Sequence, residues 1–360
     1  MKYTIDKNDR PVYMQIYRQI RQDIIAGIYP YGEKLPSIRL LCDELAVSTV
    51  TVDHAYALLC DEGYAESRER SGFFVIFREA DGFAAPAEAY KPRAVAHSSR
   101  KHPDFPFSVL ARTMRRVLSD YAEGLMERSP NPGTVELREA IRSYLMRNRG
   151  MRAERCQIVI GSGAEYLYGL IITMLGRDRV YGLESPSYQK IEQIYRAAGV
   201  RCERLPLSHD GIESAALAGT GATVIHTTPY RSYPTGITAS ANKRHEYIRW
   251  AAKDGRIIVE DDFESEFSVS SKPEDTLFSL SDGDNVIYMN TFSKTVSPAL
   301  RIGYMVLPRS LVGTFEKKLG FYSCTVPVFE QLVLAQLLQS GDFERHINRV
   351  RRALRKTRGK

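Results

Sequence analysis

At 360 residues and 43% apolar side chains, the chain has room for about two or three domains and for a large core. Its N-terminus has no apolar h-region and does not read as a signal peptide, and its longest apolar stretch, around Leu167 to Leu175, is too short to span a bilayer. The net charge of +7 does not by itself mark a nucleic-acid surface: the bases from Arg345 to Lys360 exceed the whole surplus, while the first seventy-seven residues hold slightly more acids than bases.

Five scattered cysteines, odd in number and without metal spacing, fit reduced thiols in a cytoplasm, and seven unclustered histidines suggest no metal site. In chain order, Val12, Ile16, Ile20 and Ile24 recur every fourth residue and predict an amphipathic helix over Pro11 to Ile28. A turn through Gly32 follows, with Ser37 as N-cap of a short helix, Ile38 to Leu45. Ala46, Val47 and Ser48 make a tight connection to a third helix, Thr49 to Glu62, with Val52, Ala55, Tyr56 and Leu59 on one face. Two short strands, Tyr64 to Ser67 and Phe73 to Phe77, complete three helices and a hairpin, the pattern of a winged helix-turn-helix over residues 1–77.

This stretch closely resembles the GntR-type DNA-binding domain. The match is carried by Pro11, Tyr13, Gln15, Ile16, Gly27, Gly32, Leu35-Pro36-Ser37, Arg39, Leu40, Leu45, Val47-Ser48, Thr51-Val52, Ala55-Tyr56, Leu58, Glu62-Gly63-Tyr64 and Ser71-Gly72. In such a module the third helix enters the major groove of a double-stranded operator by its N-terminal residues. Ser48, Thr49 and Thr51 then face phosphates and base edges, and Arg39 reaches phosphate from the preceding helix. Gly72 lets the wing approach the minor groove closely. Thr51 reads equally well as a helix-capping hydroxyl. Thr49 stands where the family often has arginine, so a guanine-reading fork is missing.

Residues 78–104, with Ala84-Ala85-Pro86-Ala87, Pro92 and Ser98-Ser99 and no apolar period, read as a linker. Beyond it, over 105–345, helices alternate with strands predicted at Gln157 to Ile160, Val180 to Leu183, Thr223 to Thr227, Ile257 to Glu260, Val286 to Met289 and Ile302 to Leu307. Alternation of this kind predicts an α/β domain with a mostly parallel sheet, which binds ligands beyond the carboxyl ends of its strands. Residues 346–360 read as a basic helical tail with a solvated charged face.

Those strand ends share a chemistry. Lys294 sits on a polar turn between two apolar runs, and a desolvated amine there is a nucleophile able to form a Schiff base. Arg301, seven residues on, can hold a phosphate in a bidentate fashion. Ser162-Gly163-Ala164 opens a helix whose N–H groups can cradle a phosphate. Tyr188 offers a stacking ring, and Asp261 a carboxylate to pair with a protonated pyridine nitrogen. Each is weak by itself, and Lys294 alone reads as a surface loop lysine. Together they describe a pyridoxal 5'-phosphate site.

Residues Phe105 to about Arg352 resemble the large domain of fold-type I aminotransferases, and the whole chain resembles the MocR subfamily of GntR regulators. The matching residues are Pro132-Gly133, Leu137-Arg138, Ala140-Ile141, Tyr144-Leu145, Arg149-Gly150, Ser162-Gly163-Ala164, Pro234-Thr235-Gly236, Glu260-Asp261-Asp262, Ser265-Glu266-Phe267, Thr291-Phe292-Ser293-Lys294 and Pro298-Ala299-Leu300-Arg301. The resemblance implies a PLP-dependent transcriptional regulator, commonly a domain-swapped homodimer. Lys294 would be its Schiff-base lysine, and Ser162, Gly163, Ala164, Tyr188, Asp261, Ser293 and Arg301 would contact the cofactor. Phe263 replaces a usual tyrosine, Arg231-Ser232 a usual His-Gln, and Glu165 a usual glutamine. The chain stops at Lys360, where the family continues into a small domain with the arginine for a substrate carboxylate.

The reading is therefore a cytoplasmic regulator that senses a small amine or amino acid through an internal aldimine on Lys294. A true aminotransferase with a DNA-binding appendage, and a regulator whose degenerate large domain only dimerises, are the alternatives.

Overall fold

A computed structural model of the chain describes residues 3–6, 11–69, 71–78, 105–253, 255–262, 265–268, 275–281 and 284–358. The linker predicted over 78–104 lies outside these from residue 79 onward, and so does Phe263. The chain divides into two units, Met1–Ser98 and Ser99–Lys360.

In the first unit, α1 (Val12–Ile25), α2 (Ile38–Leu45) and α3 (Thr49–Asp61) precede a hairpin of β1 (Ala65–Arg68) and β2 (Gly72–Val75). Ile16, Ile20 and Ile24 pack with Leu41, Val52, Tyr56 and Leu59 in one core, as their spacing predicts. Ser37 caps α2 by accepting from the Leu40 amide at 3.2 Å. Ala46 turns left-handed at φ 51°, and Ser48 caps α3 by accepting from the Thr51 amide at 3.3 Å. That turn sets α3 against α2 in the helix-turn-helix manner. The hairpin is antiparallel, with Ala65 opposite Val75 and Arg68 opposite Gly72.

The second unit opens with α4 (Phe107–Tyr121) and α5 (Val135–Arg149). Then come β3 (Ile158–Gly161), α6 (Ala164–Leu175), β4 (Val180–Ser185), α7 (Gln189–Ala197), β5 (Arg201–Ser208), β6 (Gly211–Ile212), α8 (Ser214–Gly219), β7 (Val224–Thr227) and α9 (Ala241–Ala251). It closes with β8 (Ile257–Asp261), α10 (Leu277–Leu280), β9 (Val286–Thr291), β10 (Gly303–Val306), α11 (Arg309–Leu319), α12 (Val328–Gln339) and α13 (Asp342–Arg358).

The strands form one eight-stranded sheet in the order β3-β10-β9-β8-β7-β4-β5-β6. β9, β8, β7, β4 and β5 run parallel, β10 is antiparallel to both its neighbours, and β6 is antiparallel to β5. Alternation along each strand divides the interior into two cores. Ile160, Ile258, Tyr288 and Tyr304 pack with Ile141, Leu334 and Phe343 on one face. Val159, Val259, Met289 and Met305 pack with Leu167, Ile171 and Phe315 on the other. A sheet covered on both faces needs strands apolar throughout, which is why these runs were legible as strands.

Two expectations change. The predicted strand list lacks β5 and β6, because Arg201-Cys202-Glu203-Arg204 is polar and half-exposed toward the sheet edge. The basic tail is not merely a solvated helix: α13 begins at Asp342 and buries Phe343, His346, Ile347 and Val350. Arg351 of that helix donates to the Glu266 carbonyl at 2.6 Å.

Candidate functional site

The carboxyl ends of β3, β4, β7, β8 and β9 lie along one edge of the sheet. β10 starts at the same edge, since Gly303 pairs with both Thr291 and Gly161. A cavity of about 320 Å³ opens there. Four residues singled out from the sequence, Ala164, Tyr188, Asp261 and Lys294, line it together with Tyr168, Ile191, Thr228, Tyr233 and Thr291.

Asp261 ends β8 and is buried. Its Oδ2 accepts from the Tyr168 hydroxyl at 2.5 Å and lies 3.4 Å from His226 Nε2. His226 Nδ1 is in turn 3.0 Å from the Tyr195 hydroxyl. Asp261 Oδ1 is buried and, among the described residues, has no hydrogen-bond partner. Burial and the adjacent carboxylate push the Tyr168 phenol well above its ordinary pKa, so it stays a donor to Asp261.

The next residue, Asp262, takes a different set of partners. It accepts from Arg149 at 2.7 Å and from the Tyr288 hydroxyl at 2.8 Å. Asn290 donates to Glu266 at 2.7 Å in the same buried network. Burial, reinforced by Asp262, pushes Glu266 up to about 7. Glu260 is pushed up to about 8 by burial, although the amides of Leu277 and Phe278 at 2.8 and 2.9 Å oppose the shift. This network holds the chain on either side of the cavity-facing carboxylate.

Ser162, Gly163, Ser293 and Arg301 do not line the cavity itself. Ser162 accepts from the Thr325 hydroxyl at 3.0 Å. Gly163, at φ +91°, precedes α6, and a Cβ there would lie 3.3 Å from Arg301 Nη2. The glycine therefore lets the guanidinium rest against the opening of α6. Glu165, in the first turn of α6, lies 3.8 Å from Arg301 and bonds Lys190. That hydrogen bond holds the Glu165 carboxyl below its usual range. Lys294 lines the cavity but is exposed rather than desolvated as the sequence suggests, on the turn that follows β9.

In the first unit, Arg39, Ser48 and Thr49 are exposed and Thr51 is half-buried. The Ser48 and Thr51 hydroxyls are 2.8 Å apart, so Thr51 takes part in the cap. Gly72, at φ +105°, accommodates the side chain of Lys34, whose Cε would lie 3.0 Å from an added Cβ. This packing gives the glycine a local structural reason.

Sequence reasoning missed Tyr168, His226 and Tyr195. Each lies inside an element read only for its apolar pattern. The available signal was position: Tyr168 is one turn past the Gly163 loop, and His226 is the penultimate residue of a strand ending at the binding edge.

Comparison with known proteins gives these arrangements a context. Residues 12–75 match the family described as bacterial regulatory proteins, gntR family, and residues 102–359 match aminotransferase class I and II. The HTH-type transcriptional regulator YdeL of Bacillus subtilis is 32% identical over 361 residues, covering 97% of this chain and 78% of YdeL. The probable rhizopine catabolism regulatory protein MocR of Rhizobium meliloti is 29% identical, covering 96% of this chain and 75% of MocR. The chain belongs to the MocR subfamily of GntR-type regulators. As a member of that subfamily it is a DNA-binding, HTH-type transcriptional regulator with an aminotransferase-like domain. The pyridoxine biosynthesis regulator PdxR of Corynebacterium glutamicum is a further relative, 28% identical over 96% of this chain and 76% of PdxR.

Among solved structures, the kynurenine aminotransferase of Pyrococcus horikoshii is similar at a TM-score of 0.63 and 26% identity, over 70% of this chain. LysN, an α-aminoadipate aminotransferase of Thermus thermophilus, is similar at 0.61 and 27%, over 69% of this chain. This MocR-type chain spans 65% and 64% of the length of those two enzymes. No helix among the described residues is long and apolar enough to cross a membrane.

Proposed function

We propose that the aminotransferase-like domain of this regulator holds pyridoxal 5'-phosphate on Lys294 and senses a small amine or amino acid entering the same cavity. One observation carries the reading. Asp261 Oδ1 is a buried acceptor without a donor, in a cavity that also presents Lys294. A buried carboxylate oxygen left without a partner fits a ligand N–H, and a protonated pyridine nitrogen is such a donor.

The other residues fit the same ligand. Arg301, with Ser162, Gly163 and the opening of α6, makes a phosphate-binding corner. Tyr188 supplies an aromatic face, and Ser293 flanks the lysine. When bound, the cofactor supplies a carbonyl carbon that amines attack and an electron-withdrawing ring. Tyr168 and His226 would hold the Asp261 carboxylate in place to accept from the ring nitrogen. Support also comes from the two similar enzymes, one described in complex with PMP and the other with N-(5'-phosphopyridoxyl)-L-leucine.

In the DNA-binding module, Arg39 binds phosphate, while Ser48, Thr49, Thr51 and Gly72 approach the operator. The regulator acts as a homodimer. Met126 at 90% exposure and Phe321 at 79% lie on segments joined by Arg128–Ser323 and Asn131–Tyr322 hydrogen bonds, an apolar surface that a second copy would cover.

A working aminotransferase is the second reading, favoured by the likeness to solved aminotransferases. Against it, the described cavity lining includes no guanidinium to orient a substrate carboxylate. Lys190, two residues after Tyr188, could bind a carboxylate only as a point charge, and it is bonded to Glu165.

The test is to incubate the full chain with PLP, reduce with borohydride and map the modified peptide. A single pyridoxyl adduct on Lys294, absent from Lys294→Ala, is expected. Modification spread over surface lysines, or persisting in the variant, would leave the large domain as a dimerising element only.

A further inference from the structure

The recognition helix α3 reads TVTVDHAYALLCD and contains no lysine or arginine; its charged residues are Asp53 and Asp61. A phosphate-rich groove lined by such a helix gains no Coulomb attraction from it. Base reading must then rest on contacts other than guanidinium forks. Ser48 and Thr51 are occupied by the cap, with their hydroxyls 2.8 Å apart. His54 stacks on Tyr13 at 4.1 Å between ring centroids.

Val50 is different. It is 78% exposed, although it lies one residue from Thr49 and Thr51 at the leading end of the helix. Val52, Ala55, Tyr56 and Leu59 bury the opposite face, and two residues advance ~200° around an α-helix. Val50 therefore points directly away from the core, where a helix-turn-helix presents side chains to the major groove. Ala57 lies two turns further along the same exposed face. Neither side chain can donate or accept a hydrogen bond. The base feature that an apolar side chain recognises in the major groove is the thymine C5-methyl group.

We propose that Val50 is a specificity-determining residue that reads a thymine methyl group in each operator half-site. Its branched methyls cover that methyl and exclude water from it. At a cytosine, which lacks the methyl, the contact is lost. At a guanine or adenine on the same strand, Val50 faces ring acceptors that it leaves unpaired. Discrimination at this base pair is then apolar, and it differs from the phosphate contacts of Arg39 by being insensitive to salt.

The test uses the full chain and duplexes selected from a randomised library. In the selected operator each thymine is replaced in turn by deoxyuridine, which removes the methyl and nothing else. Wild type should lose roughly fourfold in affinity at one thymine per half-site, about the worth of one buried methylene. Val50→Ala should bind the parent operator correspondingly more weakly and show no further loss at that deoxyuridine, as coupled partners require. Because Val50 is exposed, the alanine variant keeps the core intact, and an unchanged thermal unfolding transition would verify this. If no deoxyuridine substitution costs wild type more than it costs Val50→Ala, or if selection places guanine or cytosine at every position sensitive to Val50, the assignment is wrong.

Discussion

His226 holds its Nε2 3.4 Å from Oδ2 of Asp261, while Tyr168 donates to the same oxygen at 2.5 Å. Two groups thus converge on one carboxylate oxygen, and the other oxygen has no partner among the described residues. Asp261→Asn keeps the shape and removes the charge. Hydrogen bonds between charged partners contribute about 1.5–3 kcal/mol, so the PLP dissociation constant should rise by roughly ten- to a hundredfold. An equilibrium titration followed by absorbance reads this directly, and an unchanged constant would remove Asp261 from the cofactor site.

Glu165 places a carboxylate 3.8 Å from Arg301, on the side proposed for the phosphate. Its lowered pKa keeps it ionised through the neutral range. It both competes for the guanidinium and repels the phosphate, in a partly exposed setting that weakens the effect. Glu165→Gln should tighten PLP binding by up to about fivefold and leave unphosphorylated pyridoxal unaffected. Equal changes for both ligands, or weaker PLP binding, would place Glu165 in another role.

The Arg149–Asp262 pair is buried at both ends, at 2.7 Å. Removing the arginine leaves Asp262 buried without its cation, beside the neighbouring carboxyl of Glu266. Arg149→Met should destabilise the large domain by about 3–5 kcal/mol. Urea unfolding monitored at the aromatic side chains measures this; a loss under about 1 kcal/mol would mean the pair behaves as a surface bridge.

Glu260 links stability to pH. Its folded-state pKa is raised from 4.5 to about 8, so the folded chain binds the proton more tightly than the unfolded one. Its contribution is fully present below about 4.5 and is lost as pH rises through about 8. Thermal stability of the large domain should therefore fall between these values, and Glu260→Gln should flatten that slope. A slope identical in the variant would assign the pH dependence to other groups, Glu266 first.

Most of the architecture was legible because buried strands write themselves as apolar runs. Val286 to Met289 and Ile257 to Glu260 were readable for that reason, and the strand-end positions of Asp261 and Lys294 followed. What sequence hid depends on pairing in space. The half-exposed β5 has no clean period. The antiparallel insertion of β10 between β3 and β9 is a matter of topology. Tyr168 and His226 acquire meaning only because α6 and β7 bring them to one carboxylate. The tail was legible in part: Ile347 and Val350 continue the helical spacing of Phe343 into the basic run, and their burial shows that the charge belongs to one face of α13.

Under the proposed function, a ligand at Lys294 governs DNA binding. The most direct measurement is the affinity of the PLP-loaded full chain for a library-selected operator, with and without each common amino acid and short alkylamine, beside Lys294→Ala. At least one such amine should shift the cofactor's absorbance and change operator affinity about tenfold in wild type, with little or no keto acid formed, and do neither in Lys294→Ala. Operator affinity indifferent to every amine, an effect that survives in the variant, or many turnovers per site would contradict the proposal.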